Sequence, residues 1–230
     1  MFEQRSTELE IMDDLEMGGE VIGQTLRELD IINRRLGGNN ISLSAFRKLI
    51  KKYQIKTVAD LGCGGGDILI GMAKIAKSEQ KAIHFTGIDA NPHIADYARK
   101  HTSKWPNINF KAQNIFSDDF RQSQFDVVHC CLFLHHFTEA QLIQIFKHLK
   151  DQTSTAIIFN DLHRHWLAYY SIKMITRLFS RSYMVRNDAA VSVARGFKKE
   201  EIVKLMTACD IRNYTLKWKW AFRWELIIKL

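Results

Sequence analysis

The chain has 230 residues, 46% hydrophobic and 25% charged, with a formal net charge of +8, which is ordinary globular material for one α/β domain burying roughly 70% of its unfolded surface. The first residues lack the basic and apolar regions of a signal peptide, and no run of 18 apolar residues offers a membrane span. Four cysteines without a C-x-x-C pair argue against a disulfide framework or a zinc site and for a reducing, cytoplasmic setting.

Ile22, Leu26, Leu29, Ile32 and Leu36 recur at helical spacing, and Gly37-Gly38-Asn39-Asn40 stops them. A second helix over about Ser44–Tyr53 presents Phe46, Leu49 and Ile50. Both precede the first strand, so residues 1–53 are expected to cap the mouth of a sheet. The next stretch organises the chain. Val58–Leu61 reads as a buried parallel strand, Gly62-Cys63-Gly64-Gly65-Gly66 as a turn, and Ile68, Leu69, Met72 and Ile75 as a helix. Strand, glycine turn and helix in that order hold a nucleotide, because bare backbone lets the ligand approach closely.

A second strand, Ile83–Ile88, ends in Asp89, 23 residues after Gly66, where a ribose-binding carboxylate is expected. Asp67 stands where a dinucleotide turn has its third glycine, and Asp60 precedes the turn. Two carboxylates there repel a pyrophosphate by on the order of several kcal/mol in a partly buried site. They suit a ligand bearing an ammonium and a sulfonium, such as S-adenosylmethionine. Asn91-Pro92 opens a helix to about Ser103, and strands follow at Ile108–Ala112, Phe125–Cys131 and Thr155–Asn160, the last two separated by a helix over Thr138–Leu149. A helix at 198–209 and two strands, Tyr214–Trp218 and Phe222–Ile228, finish the chain.

Asp60-Leu61-Gly62-Cys63-Gly64-Gly65-Gly66 resembles motif I of the class I S-adenosylmethionine-dependent methyltransferases, and the likeness extends over residues 57–160. It implies a Rossmann-like seven-stranded sheet with helices on both faces and the last strand antiparallel, as one domain: cap 1–53, cofactor core 54–160, lid insertion 161–197, and a closing helix and strand pair 198–230. It implies a cofactor site of Asp60, Gly62, Cys63, Gly64, Asp67, Asp89, Ala90, Asn114, Ile115, Cys130 and Cys131, with Asn114 lying along the adenine where many relatives have aspartate. The product would be S-adenosylhomocysteine. Phe125-Asp126-Val127-Val128 matches the family's pattern at the fourth strand, and Leu134-His135-His136-Phe137 resembles the segment that follows it in small-molecule methyltransferases, including those of quinone synthesis. Met12-Asp13-Asp14, Ile32-Asn33-Arg34 and Asp161-Leu162-His163-Arg164-His165 resemble stand-alone bacterial methyltransferases of polyketide or phenolic-lipid synthesis, a secondary-metabolic setting.

Methyl transfer is an in-line displacement in which the cofactor supplies the electrophile and the protein supplies alignment and, for a weakly acidic hydroxyl, a base. Ligands of such sheets sit beyond the carboxyl ends of the strands. His135 and His136 follow strand four there, and Asp161, His163 and His165 follow strand five. His163 is the first expectation for the base and His136 the second, with Asp161 orienting an imidazole. His129, inside strand four, is expected to play no such part. Catechol-type relatives hold magnesium on carboxylates after these strands. Here Asn160-Asp161 is reversed in order and Cys130-Cys131 replaces the first carboxylate, so no metal is expected.

The insertion carries Trp166, Tyr169 and Tyr170 among many apolar residues, and these, with His135 and His165, are expected to line a pocket for a flat, greasy acceptor. Residues 162–199 carry eight basic residues against Asp188 alone, so an anionic substrate, a carrier-bound one or a lipid surface are all open as partners; monomer and homodimer are open too. The acceptor expected is the oxygen of a phenol or polyketide-type molecule. Carbon methylation of a quinone-like ring, nucleic-acid methylation and a non-catalytic cofactor-binding subunit are the alternatives. Nucleic acid is disfavoured by the absence of an Asn/Asp-Pro-Pro-Tyr/Phe base-clamping motif and of any appended RNA-binding module.

Overall fold

The structure, a computed structural model, describes residues 2–230. Seven strands form one sheet in the order β3-β2-β1-β4-β5-β7-β6: β1 Thr57–Leu61, β2 His84–Asp89, β3 Ile108–Ala112, β4 Phe125–Cys131, β5 Thr153–Leu162, β6 Tyr214–Lys219 and β7 Arg223–Lys229. The first five are parallel, β7 is antiparallel to both its neighbours, and β6 therefore points with the parallel set. The helices are α1 Gly19–Arg35, α2 Gly38–Lys52, α3 Asp67–Ser78, α4 Pro92–His101, α5 Asp118–Arg121, α6 Glu139–Gln152, α7 Trp166–Phe179, α8 Tyr183–Arg195 and α9 Lys199–Ala208.

Two apolar clusters sandwich the sheet. One joins Leu142, Phe146 and Leu149 of α6 and Ile202, Leu205 and Met206 of α9 to β4, β5 and β7. The other joins Phe46, Leu49 and Ile50 of α2 and Leu69, Met72 and Ala76 of α3 to Val58, Phe85, Val127 and Ile158. The second expected helix is thus a wall of the sheet. It also starts at Gly38, earlier than the Gly-Asn stretch suggests. A Cβ on Gly38 would meet the Arg223 guanidinium at 2.6 Å, so this glycine serves a close approach, and the chain breaks only at Gly37, with φ 75°. α1 does lie over the mouth, where Ile22 and Leu26 pack with Ile94 and Met184.

A buried polar chain crosses the sheet. His129 Nδ1 lies 2.6 Å from Asp60 Oδ1 and its Nε2 2.8 Å from Ser42 Oγ; Asn160 Nδ2 donates to Ser42 Oγ and to the Gly38 carbonyl, each at 2.9 Å. In register Asp60 faces His129 across β1 and β4, which fixes the Asp60 carboxylate beneath the glycine turn. β5 runs on to Leu162, paired with Arg223, so Asp161 is a strand residue.

Two of the basic residues of 162–199 turn inward. Arg164 is 1% exposed; it donates to the carbonyls of Phe2, Glu3 and Gly196 and forks onto Glu201 at 2.7 and 3.0 Å, pinning the N-terminal segment to α9. Arg195, 5% exposed, reaches Asp13 Oδ2 at 2.7 Å. Glu201 is 34% exposed, so what the loss of Arg164 leaves unmet is chiefly buried carbonyls, each worth about 1–3 kcal/mol. Arg164→Met is therefore expected to lower unfolding free energy by about that amount in urea denaturation followed by circular dichroism, and a loss below about 0.5 kcal/mol would contradict this role.

Candidate active site

A cavity of about 480 Å³ opens at the carboxyl ends of β1, β2 and β4, within the roughly 300–1,000 Å³ usual for small-molecule sites. Its floor is the glycine turn. Gly62 and Gly64 have φ of 65° and 50°, and the amides of Gly62 and Cys63 reach the Ile88 carbonyl. A Cβ on Gly62 would lie 2.2 Å from the Phe133 ring, so only glycine fits there.

Asp89 lies at the tip of β2 in this cavity. Burial pushes its carboxyl up to about 6, against hydrogen bonds from the Asn91 and Gly64 amides, and the Asp60 charge adds to the rise. Its Oδ1 accepts from Asn91 N at 3.0 Å, and the Asn91 side chain caps α4 and donates to the Met17 carbonyl. Asp60, Cys63, Asp67, Ala90, Asn114, Ile115 and Cys131 also line the cavity. Cys130 does not: strand alternation turns it into the core, 1% exposed. Asp67 bonds His101 at 3.0 Å, and Asp30 of α1 faces the same space, its carboxyl raised by burial and by Asp67. Four carboxylates round a glycine turn fit a cationic ligand with ribose hydroxyls and reject a pyrophosphate. The residues present fit S-adenosylmethionine.

The far wall is built by the post-β4 segment, the N-terminal segment and α8. His135, 2% exposed, has Nδ1 2.7 Å from Asp161 Oδ1 and Nε2 3.2 Å from Glu10 Oε1. Burial alone would lower its pKa, but Asp161 and Glu10 raise it to about 9. Asp161 Oδ2 also accepts the Leu134 and His135 amides. Burial would raise the Asp161 carboxyl, yet His135 holds it below its ordinary value. His136 has Nδ1 2.6 Å from Asp13 Oδ1. Arg195 grips Asp13 Oδ2 at 2.7 Å and donates to the His135 and His136 carbonyls. Asp188 accepts the Ile11 and Met12 amides, holding the turn that carries Asp13.

Several expectations of the sequence change here. The lining includes His135 and His136 and none of His163, His165, Trp166, Tyr169 and Tyr170. His163 Nδ1 accepts from Trp218 Nε1 at 3.2 Å, and His165 stacks on Phe222 with centroids 5.1 Å apart, in an aromatic cluster between β5 and β7. Trp166 and Tyr170 face outward, 56% and 55% exposed, and Tyr169 packs against Phe2. α7 is an outer layer, and α8 closes the cavity through Val185, Asp188, Ala189 and Ser192. Asp161 does orient an imidazole, that of His135. The sequence reading missed Glu10, Asp30, Asp188, Ser192 and Arg195; Asp13 stood only in the Met12-Asp13-Asp14 likeness.

Among the described residues, Glu10, His135 and His136 bring ligand atoms within 4.8 Å of one another. A cation would have to displace the proton of His135, which uses both ring nitrogens on carboxylates. Cys130 is turned into the core and both Asp161 oxygens are taken by His135 and backbone amides, so Cys130, Asn160 and Asp161 do not converge as magnesium ligands.

This sheet order, with β7 reversed and a ligand cradle after β1 and β2, defines the class I methyltransferase fold. Residues 58–154 match the family model of the methyltransferase domain. The chain is 31% identical over 139 residues to the ubiquinone biosynthesis O-methyltransferase of Actinobacillus pleuropneumoniae serotype 7, covering 53% of this chain and 56% of that protein. It is 29% identical over 126 residues to an uncharacterized methyltransferase of Synechocystis, covering 53% and 55%. The chain thus spans about half the length of these relatives. Among solved structures, the plantazolicin methyltransferase BpumL in complex with SAH superposes with a TM-score of 0.64 at 18% identity, covering 91% of this chain and 94% of that one. Magnesium protoporphyrin IX methyltransferase of Synechocystis with bound SAH gives 0.57 at 18%, covering 85% and 84%. Residues 58–154 thus match a methyltransferase-domain model, and the chain as a whole has the class I methyltransferase fold.

If Asp89 holds the ribose, it must be ionised to accept both hydroxyls. Its raised pKa means the free protein holds a proton there below about pH 6. Affinity for S-adenosylhomocysteine in calorimetry is expected to be constant above pH 7 and to fall up to about tenfold per pH unit below 6, with Asp89→Ala weaker by tenfold or more, about 1.4 kcal/mol, at pH 7. Unchanged affinity from pH 8 to 5 would contradict this.

Proposed function

We propose that this protein transfers a methyl group from S-adenosylmethionine to the hydroxyl oxygen of a hydrophobic small molecule of the phenol class, with His136 as the base. The observation that carries the reading is the His136–Asp13 pair in the same cavity as Asp89 and the glycine turn. Asp13 accepts the Nδ1 proton, so the lone pair of neutral His136 sits on Nε2. That nitrogen lies 3.9 Å from Glu10 Oε2, beyond hydrogen-bond range, and is free to accept a proton. His135, sealed between two carboxylates, has no such lone pair.

When bound, the cofactor supplies an electrophilic methyl carbon on sulfur. With the cofactor held over the glycine turn and Asp89, His136 Nε2 would take the proton of the acceptor hydroxyl as its oxygen received the methyl group, the sulfur leaving as a neutral thioether. Asp13 and Glu10 flank the imidazolium so formed, and Arg195 keeps Asp13 in line. Leu15, Leu29, Phe116, Phe133 and Phe137 give the cavity apolar walls that suit an aromatic acceptor. Carbon methylation of an enolisable ring would use the same base and differs only in the product. The carboxylates crowding the cavity weigh against a nucleic-acid substrate.

A phenol of pKa near 10 is ionised in about one molecule in a thousand at pH 7, and a general base is worth roughly 10²–10⁴-fold. With a panel of phenolic acceptors, His136→Ala is expected to lower kcat at pH 7 at least about tenfold, with recovery as pH approaches the acceptor's pKa and unchanged affinity for S-adenosylhomocysteine. Asp13→Asn should act in the same direction, and His163→Ala should stay within about twofold of the parent. No turnover on any phenol, or a His136→Ala enzyme equal to the parent, would overturn the proposal.

A further inference from the structure

We infer that the outer face of α7 is a docking surface for an anionic lipid bilayer, a role separate from the choice of acceptor or base. α7 packs one side against the fold, with Ala168 and Thr176 buried, and turns the other to water. On that side Trp166, Tyr170, Met174 and Leu178 follow one another every four residues, 55–67% exposed, and Leu167 shares their arc. Phe179, 80% exposed, is the last residue of α7, and Tyr183, 55% exposed, is the first of α8. At the other end, ring contacts link Trp166 through His165 and Phe222 to Trp218, so a second half-exposed tryptophan borders the patch. Isolated exposed apolar residues need no explanation, but a contiguous stripe of this kind marks an interaction surface.

Charge says what covers it. Lys173 and Arg177 lie along the edge of the stripe, and Arg181 and Arg186 are exposed just beyond it. Residues 162–187 contain no Asp or Glu, and the first acid, Asp188, is turned inward onto backbone amides. An apolar face edged with cations and carrying Trp and Tyr is what lies in the headgroup region of a membrane and is drawn to anionic lipid. A second copy of the chain fits worse: a two-fold axis through the stripe would set these cations against their own images. The helix does not cross a bilayer. Its 14 residues reach about 21 Å, short of the roughly 30 Å hydrocarbon core, and among the described residues no helix is long and apolar enough to span one. The stripe is the outer surface of the same helical pair whose inner member, α8, closes the cavity, so docking would set that wall against the lipid.

The test is co-sedimentation of the full chain with vesicles of phosphatidylcholine alone and of phosphatidylcholine mixed with phosphatidylglycerol. It is run at about 0.1 M and about 1 M salt, where the Debye length falls from about 10 Å to about 3 Å. Binding is expected to the anionic vesicles and to weaken at the higher salt. M174E/L178E is expected to reduce it at least tenfold, and K173E/R177E to remove its salt dependence. Thermal midpoint and affinity for S-adenosylhomocysteine should not change in either, since all four side chains are exposed. Failure of the parent to sediment with anionic vesicles, or equal binding to neutral ones, would overturn the inference. So would a dimer in light scattering that M174E/L178E converts to monomer, since the stripe would then belong to a second copy.

Discussion

The imidazole of His135 lies between Asp161 and Glu10 where water does not reach it, and the wall of the cavity hangs on that contact. Asp161 belongs to β5, His135 to the segment after β4, and Glu10 to a stretch 125 residues away in sequence. The two ring N–H groups of His135, one toward each carboxylate, tie all three. Two buried carboxylates and a cation exclude any arrangement in which one of them is left alone, because an unpaired buried charge costs several kcal/mol. The N-terminal segment is thus held down by electrostatics as well as by the packing of Phe2, Ile11 and Met12, and Arg5 and Arg195 complete the balance by donating to carbonyls of the post-β4 turn.

The pH window of this clamp follows from its partners. His135 rises from 6.5 to about 9, so its contribution, on the order of 3 kcal/mol, is fully present below its ordinary pKa and is lost as pH climbs through about 9. Asp161 and Glu10 are shifted down, so theirs is present above the ordinary carboxylate range and lost only as pH falls below it. Between these limits the clamp places Asp13 on His136. The base of the proposed reaction is therefore held in place through residues that exchange no proton with the acceptor.

The cofactor half of the site was legible in the sequence because its determinants are local. A positive φ demands glycine at Gly62 and Gly64, strand alternation ends β2 on Asp89, and both can be read within a short window. The same alternation separates Cys131, facing the cavity, from Cys130, facing the core, a distinction that treating the pair as one unit passes over. The acceptor half was not legible. His163 and His136 both follow strands at the right end of the sheet, and what distinguishes them is Asp13, 123 residues from its partner. An apolar stripe on a helix shows which face avoids water in isolation, not which way the helix is turned. α7 turned its stripe outward because α8, with small residues such as Ala189 and Ser192, fills the place against the cavity.

The clamp can be observed directly. In the ¹⁵N-labelled protein the two ring nitrogens of His135 report its protonation state by NMR. A doubly protonated ring is expected through pH 8, titrating near pH 9, with a marked fall in that value in Glu10→Gln. A His135 ring that is neutral at pH 7, or one whose titration does not respond to Glu10→Gln, would contradict it.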